Sequence, residues 1–293
     1  MIENLWPDNY DDPYLKRYYA PEEFKNKISK MNPLFQKNVS KKVKDLINFI
    51  IITLHEELNQ TNKKNININN NTIYDQRNQQ LMFNIFAKNF MENNRSIISD
   101  LFYGINCSIY QCGGCSSQTF NYQTYFLITF PLEKVLEFKF SNMNQLNFNK
   151  IDIYDCFNYD KKINYMVGGN AMYCKYCKRE CNSSMCTILT TGSEILIILL
   201  NRDKNINIDV KINFYEFLNL NNYIQYNNIG ANYRLIGVIS LIQENMKEYY
   251  IAYCRDPISG LWHKYNDEYI LQVNNFQEII DDGIPNLLFY QKI

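Results

Sequence analysis

Two cysteine pairs constrain this chain more than any other feature of its sequence. QCGGC holds Cys112 and Cys115, and YCKYC holds Cys174 and Cys177, each pair three positions apart. A CxxC turn presents two sulfurs to one metal ion, and two such turns make a closed tetrahedral four-thiolate site. A closed site leaves no position for substrate, so the expected ion is one structural zinc. The glycine pair of the first turn is expected to ease its tight bend. The 58 residues between the pairs exceed what a compact zinc ribbon uses, so the site should join the tips of two separate hairpins. Cys181 and Cys186 follow the second pair closely and stay open as alternative ligands, although scattered cysteines are more often small core residues.

The nine cysteines accompany no apolar leader, because the start MIENLWPDNYDDPYLKRYY is acidic and aromatic. A reducing compartment, cytoplasmic or nuclear, is expected, with metal-bound or free thiols rather than disulfides. Thirty basic and thirty acidic residues cancel, which offers no electrostatic footing for nucleic acid or an anionic membrane. The apolar run LINFIIITL at 46–54 is too short to span a bilayer. Apolar residues at helical spacing predict a long, mostly buried helix over 41–58, and a second helical stretch covers 79–101. The Asn-rich segment 59–73 reads as a polar surface loop. From Ser108 the texture turns β-branched and aromatic. FNYQTYFLITFPL reads as a strand, EILIILLN as a buried strand, and NYRLIGVISLIQ and EYYIAYCRD as neighbouring strands joined by QENMKE. LWHKYNDE and PNLLFYQKI add two more. Helices first and strands later indicate an α+β chain with an antiparallel sheet.

The order of these segments resembles the ubiquitin-specific protease family. DLINFIIITLHEELN is similar to the helix after that family's cysteine box. SIISDLFYGINCSIYQCGGCSS resembles the entry to the zinc-binding fingers, FLITFPL the strand that follows, and IDIYDCFNYDKKI with MYCKYC the second half of the fingers. EILIILLNR is similar to the strand ending in arginine, here Arg202. NYRLIGVISLI with EYYIAYCRD resembles the histidine box, and GLWHKYNDE the strand of the third catalytic residue. The resemblance implies a papain-like fold of fingers, palm and a partial thumb. It implies one N-terminally incomplete domain over 1–293, with fingers at about 105–125 and 168–193. The implied chemistry is cysteine-type hydrolysis at the C-terminus of ubiquitin, with ubiquitin or ubiquitinated proteins as partners.

That chemistry needs a thiolate, a histidine that takes its proton, and a group that orients the imidazole. The first cysteine is Cys107, well after the LHEEL helix, and Lys41, Lys42, Val43 and Lys44 stand where the family carries a Gln-rich, Asp-containing stretch. Tyr249 stands at the histidine position, and a phenol near pKa 10 is no base at neutral pH. Asn266 aligns with the third position, with Asp267 beside it. His55 reads as a structural helix residue, His263 as a surface strand residue, and Cys254 as a buried strand cysteine. Three functions stay open: a deubiquitinase-family domain inactive as written that binds ubiquitin or a partner protein; an active enzyme whose cysteine box is missing from this chain; and a zinc-stabilised adaptor without a ubiquitin role. The missing thumb would leave part of the LINFIIITL face open to a protein partner.

Overall fold

Ser96 decides how the helical half of the chain is divided. Its hydroxyl accepts from the Ser99 N–H, and the Ser99 hydroxyl accepts from the Ser96 N–H. This reciprocal cap starts a new helix and stops the old one from running through. The expected helix over 79–101 is therefore two, α3 (Gln79–Asn93) and α4 (Ile97–Phe102). Ahead of them lie α1 (Glu22–Met31) and α2 (Val43–Leu58). The computed structural model describes residues 22–36, 43–61, 78–142, 150–202, 210–226, 230–244, 247–267 and 269–293. The acidic N-terminal segment, Lys41, Lys42 and most of the Asn-rich stretch lie outside the described residues.

Helix α2 is less buried than the sequence predicts. Ile51 and His55 are buried, whereas Ile52, Leu54 and Leu58 are exposed. The run is apolar around much of its circumference, and a packed neighbour covers only one stripe. Among the described residues, no helix is long and apolar enough to cross a membrane.

The chain forms two compact units, one of residues 54–235 and 287–293, the other of 236–286 with the described residues up to Thr53. In the larger unit, β1 (Gly104–Cys112), β2 (Gln118–Tyr125), β5 (Asn164–Met166) and β8 (Ser183–Thr191) form an antiparallel sheet in the order β2-β1-β8-β5. The predicted single strand over 120–132 breaks at Phe126. Its second half, β3 (Leu127–Pro131), pairs in parallel with β9 (Ile195–Asn201), which also pairs antiparallel with β16 (Ile284–Lys292). A strand covered on both edges and both faces can be continuously apolar. That is why Leu196 to Leu200 are all buried, as ILIILL predicts.

Helix α5 (Leu132–Asn142) follows β3. IDIYDCFNYDKKI, expected in the fingers, instead forms β4 (Lys150–Asp152) and then α6 (Ile153–Asp160). Asp152 and Asp155 cap this helix reciprocally, and Ile153, Cys156 and Phe157 bury its inner face. β10 (Lys211–Asn213) lies parallel to β4, and β11 (Phe217–Asn219) pairs with the start of β12 (Asn232–Glu244). The second cysteine pair sits on a separate small hairpin, β6 (Met172–Cys174) with β7 (Arg179–Cys181).

In the smaller unit, the later part of β12, then β13 (Lys247–Arg255), β14 (Trp262–Asn266) and β15 (Tyr269–Val273) form an antiparallel meander. The strands flanking QENMKE run further than expected, to Glu244 and from Lys247, and residues 245–246 lie outside the described set. β15 and α7 (Phe276–Asp281) were not read from the sequence. The whole is α+β with mainly antiparallel sheets, as predicted.

Candidate metal centre and the catalytic-position face

The hairpin tip after β1 carries Cys112 and Cys115, and the tip between β6 and β7 carries Cys174 and Cys177. The two tips are built alike. The Ser116 N–H donates to the Cys112 carbonyl at 2.8 Å, and the Lys178 N–H donates to the Cys174 carbonyl at the same distance. Ser116 and Lys178 both take positive φ, 57° and 56°. Each first sulfur accepts a backbone N–H, Cys112 from Gly114 at 3.3 Å and Cys174 from Cys177 at 3.4 Å. Such donors favour thiolate over thiol. At Cys174 the pKa is accordingly lowered, first by the Cys177 N–H.

The expected role of the glycine pair needs correction. Neither Gly113 nor Gly114 has positive φ. They are small because the other hairpin's strand and sulfurs come close. A β-carbon at Gly113 would lie 2.6 Å from the Asn182 carbonyl oxygen, which already accepts the Gly113 N–H at 2.8 Å.

All four sulfurs lie within 4.8 Å of one another. Metal–sulfur bonds of about 2.3 Å in a tetrahedron give sulfur–sulfur edges of about 3.8 Å. Cys112 to Cys177 measures 3.8 Å and Cys115 to Cys174 measures 3.7 Å. The donor set and its spacing therefore fit a four-thiolate ion, which would be bound by these side chains and act only as a structural tie. Among the described residues this is the one grouping of three or more metal-ligating side chains found. Of the two further cysteines, Cys181 is buried against this cluster. Cys186 lies on β8 opposite Ile109 and acts on the Cys107 thiol instead.

The catalytic-position residues gather on the smaller unit's meander. Tyr253 lies directly opposite Lys264 across β13 and β14. Side chains alternate along a strand, so Tyr249 and Asn266 share that face. The Tyr249 hydroxyl donates to Glu244 Oε2 at 3.3 Å. Its pKa is raised, first by desolvation and then by the Glu244 carboxylate. Tyr253 and Lys264 both donate to the Asp282 carboxylate. Among the described residues, the face thus carries two carboxylates, Glu244 and Asp282, each accepting from a tyrosine hydroxyl. Asp267 is exposed at φ 50° in the two-residue turn between β14 and β15, where the paired residues are Asn266 and Tyr269. Such short hairpin turns require positive φ, which Asp tolerates.

Cys254 corrects a second expectation. It is exposed rather than buried, and it lies opposite His263. The pair occupies the reverse face from Tyr249 and Asn266. Desolvation of its sulfur raises the thiol pKa, so the thiolate is disfavoured. His55 is buried, with Nδ1 2.7 Å from the Ser96 hydroxyl and its ring against Tyr103. It holds the cap of α4, a structural role as read.

The ubiquitin carboxyl-terminal hydrolase family model matches residues 1–290. The chain is 23% identical over 300 residues to bovine (Bos taurus) ubiquitin carboxyl-terminal hydrolase 2, covering 99% of this chain and 46% of that protein. To the chicken (Gallus gallus) protein of the same name it is 23% identical over 305 residues, with 99% and 78% covered. The chain thus spans about half the length of the bovine relative. Two solved structures share the fold. A yeast SAGA deubiquitinating-module structure with mutant Sgf73 gives a TM-score of 0.53 at 20% identity, over 68% of this chain and 42% of that one. The SAGA DUB module Ubp8/Sgf11/Sus1/Sgf73 bound to monoubiquitin gives 0.55 at 19%, over 73% and 47%.

Proposed function

Because this chain belongs to the ubiquitin carboxyl-terminal hydrolase family, we propose that it is a ubiquitin-recognising member that performs no hydrolysis itself. The observation that carries this reading is Tyr249. By the resemblance it stands at the base position, its hydroxyl donates to Glu244, and its pKa moves further above neutrality. Asn266, which the resemblance gives to the orienting group, lies on the same face of the meander, where it would meet a phenol rather than an imidazole. A hydrolase of this type must move a proton from a thiol to a base and on to the leaving amine. Tyr249 donates its hydrogen and accepts none at neutral pH.

Ubiquitin or a ubiquitinated protein is the proposed ligand. Exposed apolar side chains support this, since Tyr165 and Tyr173 are 76% and 63% exposed and Ile163 and Val167 are exposed as well. Exposed aromatic and aliphatic side chains supply contact area to a protein surface. One zinc ion tied by Cys112, Cys115, Cys174 and Cys177 holds the fingers in place. The nine cysteines, none of them in a disulfide, suit a reducing cytoplasmic or nuclear setting.

The test pairs capture with binding. Purified chain is incubated with ubiquitin carrying a thiol-reactive C-terminal warhead, and unmodified ubiquitin is titrated by NMR. Binding without covalent capture is expected, and Tyr249→His alone should release no product from a fluorogenic ubiquitin substrate. Capture of any thiol, or turnover by that single variant, overturns the inactive reading in favour of a working hydrolase. Absence of binding overturns the ubiquitin reading in favour of an adaptor.

A further inference from the structure

A fifth sulfur stands beside the four. Cys181 ends β7, pairs with Met172, and belongs to the same hairpin as Cys174 and Cys177. It is buried with Cys112 and Cys174, and Cys177 packs on the same group. A β-carbon placed on Gly114 would meet the Cys177 and Cys181 sulfurs, each at 3.3 Å, and the Cys112 sulfur at 3.7 Å. The two sulfurs therefore flank one small space, which Gly114 leaves free. The Cys181 sulfur has a contact with the Arg179 carbonyl, 3.7 Å away, a weak one for a thiol. The core that Cys181 joins is the cysteine cluster itself. Of its six paired residues only Cys174 and Cys181 are buried.

We infer that Cys181 is a reserve ligand that takes the place of Cys177 on the metal. The inference rests on the reading of the four cysteines as a metal site. Thiolate sites exchange ligands readily when a spare thiol lies against one of the bonded sulfurs. In the exchange the Cys177 sulfur–metal bond breaks and that sulfur takes up a proton. The Cys181 sulfur–metal bond forms and its proton leaves, so charge and proton count are unchanged. The ion stays within a four-sulfur set throughout. Cys177 is the half-buried member of its pair, and water or a competing thiol reaches it before it reaches Cys174.

Cobalt(II) reports the ligands directly, through the intensity of its sulfur charge-transfer absorption. Full-length wild type, Cys177→Ser, Cys181→Ser, the double variant and Cys115→Ser are loaded with cobalt and measured for metal content and absorption. Cys177→Ser should keep one ion per chain and a four-thiolate intensity. The double variant and Cys115→Ser should fall to three-thiolate intensity or lose the ion. Zinc-loaded Cys181→Ser, otherwise like wild type, should release its ion to a chelator about tenfold faster, the scale of a lost neighbouring partner. A Cys177→Ser spectrum matching the double variant overturns the inference. If Cys177→Ser does not fold, a Cys181→Ser release rate equal to wild type overturns it. Wild type that binds no ion overturns the metal reading itself, a separate failure visible before any variant is made.

Discussion

Stripping the metal should loosen one hairpin and leave the rest of its unit intact. β6 and β7 pair over three positions only, Met172 with Cys181, Tyr173 with Glu180 and Cys174 with Arg179. Tyr173 is exposed, and the buried side chains are the two cysteines. A two-stranded ribbon this short does not hold itself in water. Its protection must come from the tie to the β1–β2 tip. With free zinc at about 100 times the dissociation constant, binding adds about 2.7 kcal/mol, or about a hundredfold in the opening equilibrium. β9 is different, with Leu196 to Leu200 buried between β3 and β16. Hydrogen exchange read by mass spectrometry, with and without a chelator, separates the two. Amides of 172–181 should exchange about a hundredfold faster without metal, while those of 195–201 stay unchanged. Hairpin exchange indifferent to the chelator would refute the tie. Equal loosening of β9 would show that the metal supports the whole unit, contrary to the packing.

Two further outcomes follow from single residues. Asp160 ends α6, where the helix dipole disfavours a carboxylate, and burial pushes its pKa up to about 6 from 3.8. Between about pH 4 and 6 the folded state holds the proton that the unfolded state has lost, so this group's contribution to stability falls as pH rises through that window. Asp160→Asn should therefore stabilise the protein above pH 6 by at most about 3 kcal/mol and flatten the pH profile of urea unfolding between 4 and 6. A variant no more stable than wild type at pH 7 would refute the burial cost. Gly113→Ala must displace a backbone carbonyl, because its β-carbon would sit 2.6 Å from the Asn182 oxygen. Overpacking of that kind costs about 1–3 kcal/mol, and the variant should lower both the melting temperature and zinc retention. Wild-type values of both would refute the close approach.

Much of the metal site was legible because CxxC spacing is a local property. Three residue steps and a tight turn bring two sulfurs together wherever the turn lies, so the candidate ligands could be named before any fold was known. The strand ILIILL was equally legible, since its short run of mostly β-branched and leucine residues suits a strand buried on both faces. The positions proposed as catalytic came from order along the chain rather than from pattern, and strand pairing puts Tyr249 and Asn266 on one face. The glycine pair was misread because the sequence shows a turn but not the strand that crosses it. IDIYDCFNYD was assigned to the fingers by resemblance alone, and the helix that the reciprocal caps of Asp152 and Asp155 start was not foreseen. β15 escaped because its residues YILQV are apolar without alternation and mostly exposed, and α7 because six residues are too few to show a period.

Sequence alone determined the ligand types, the absence of histidine at position 249 and the apolar strands of the core. These depend on side-chain chemistry and on contacts between near neighbours. Tertiary structure alone decided that Cys181, and not Cys186, stands against the metal cluster. It also decided that Cys254 and His263 face away from Tyr249. Both turn on strand register, where one residue more or less sends a side chain to the opposite face. Register is set by pairing with distant strands, and no local pattern in this chain records it.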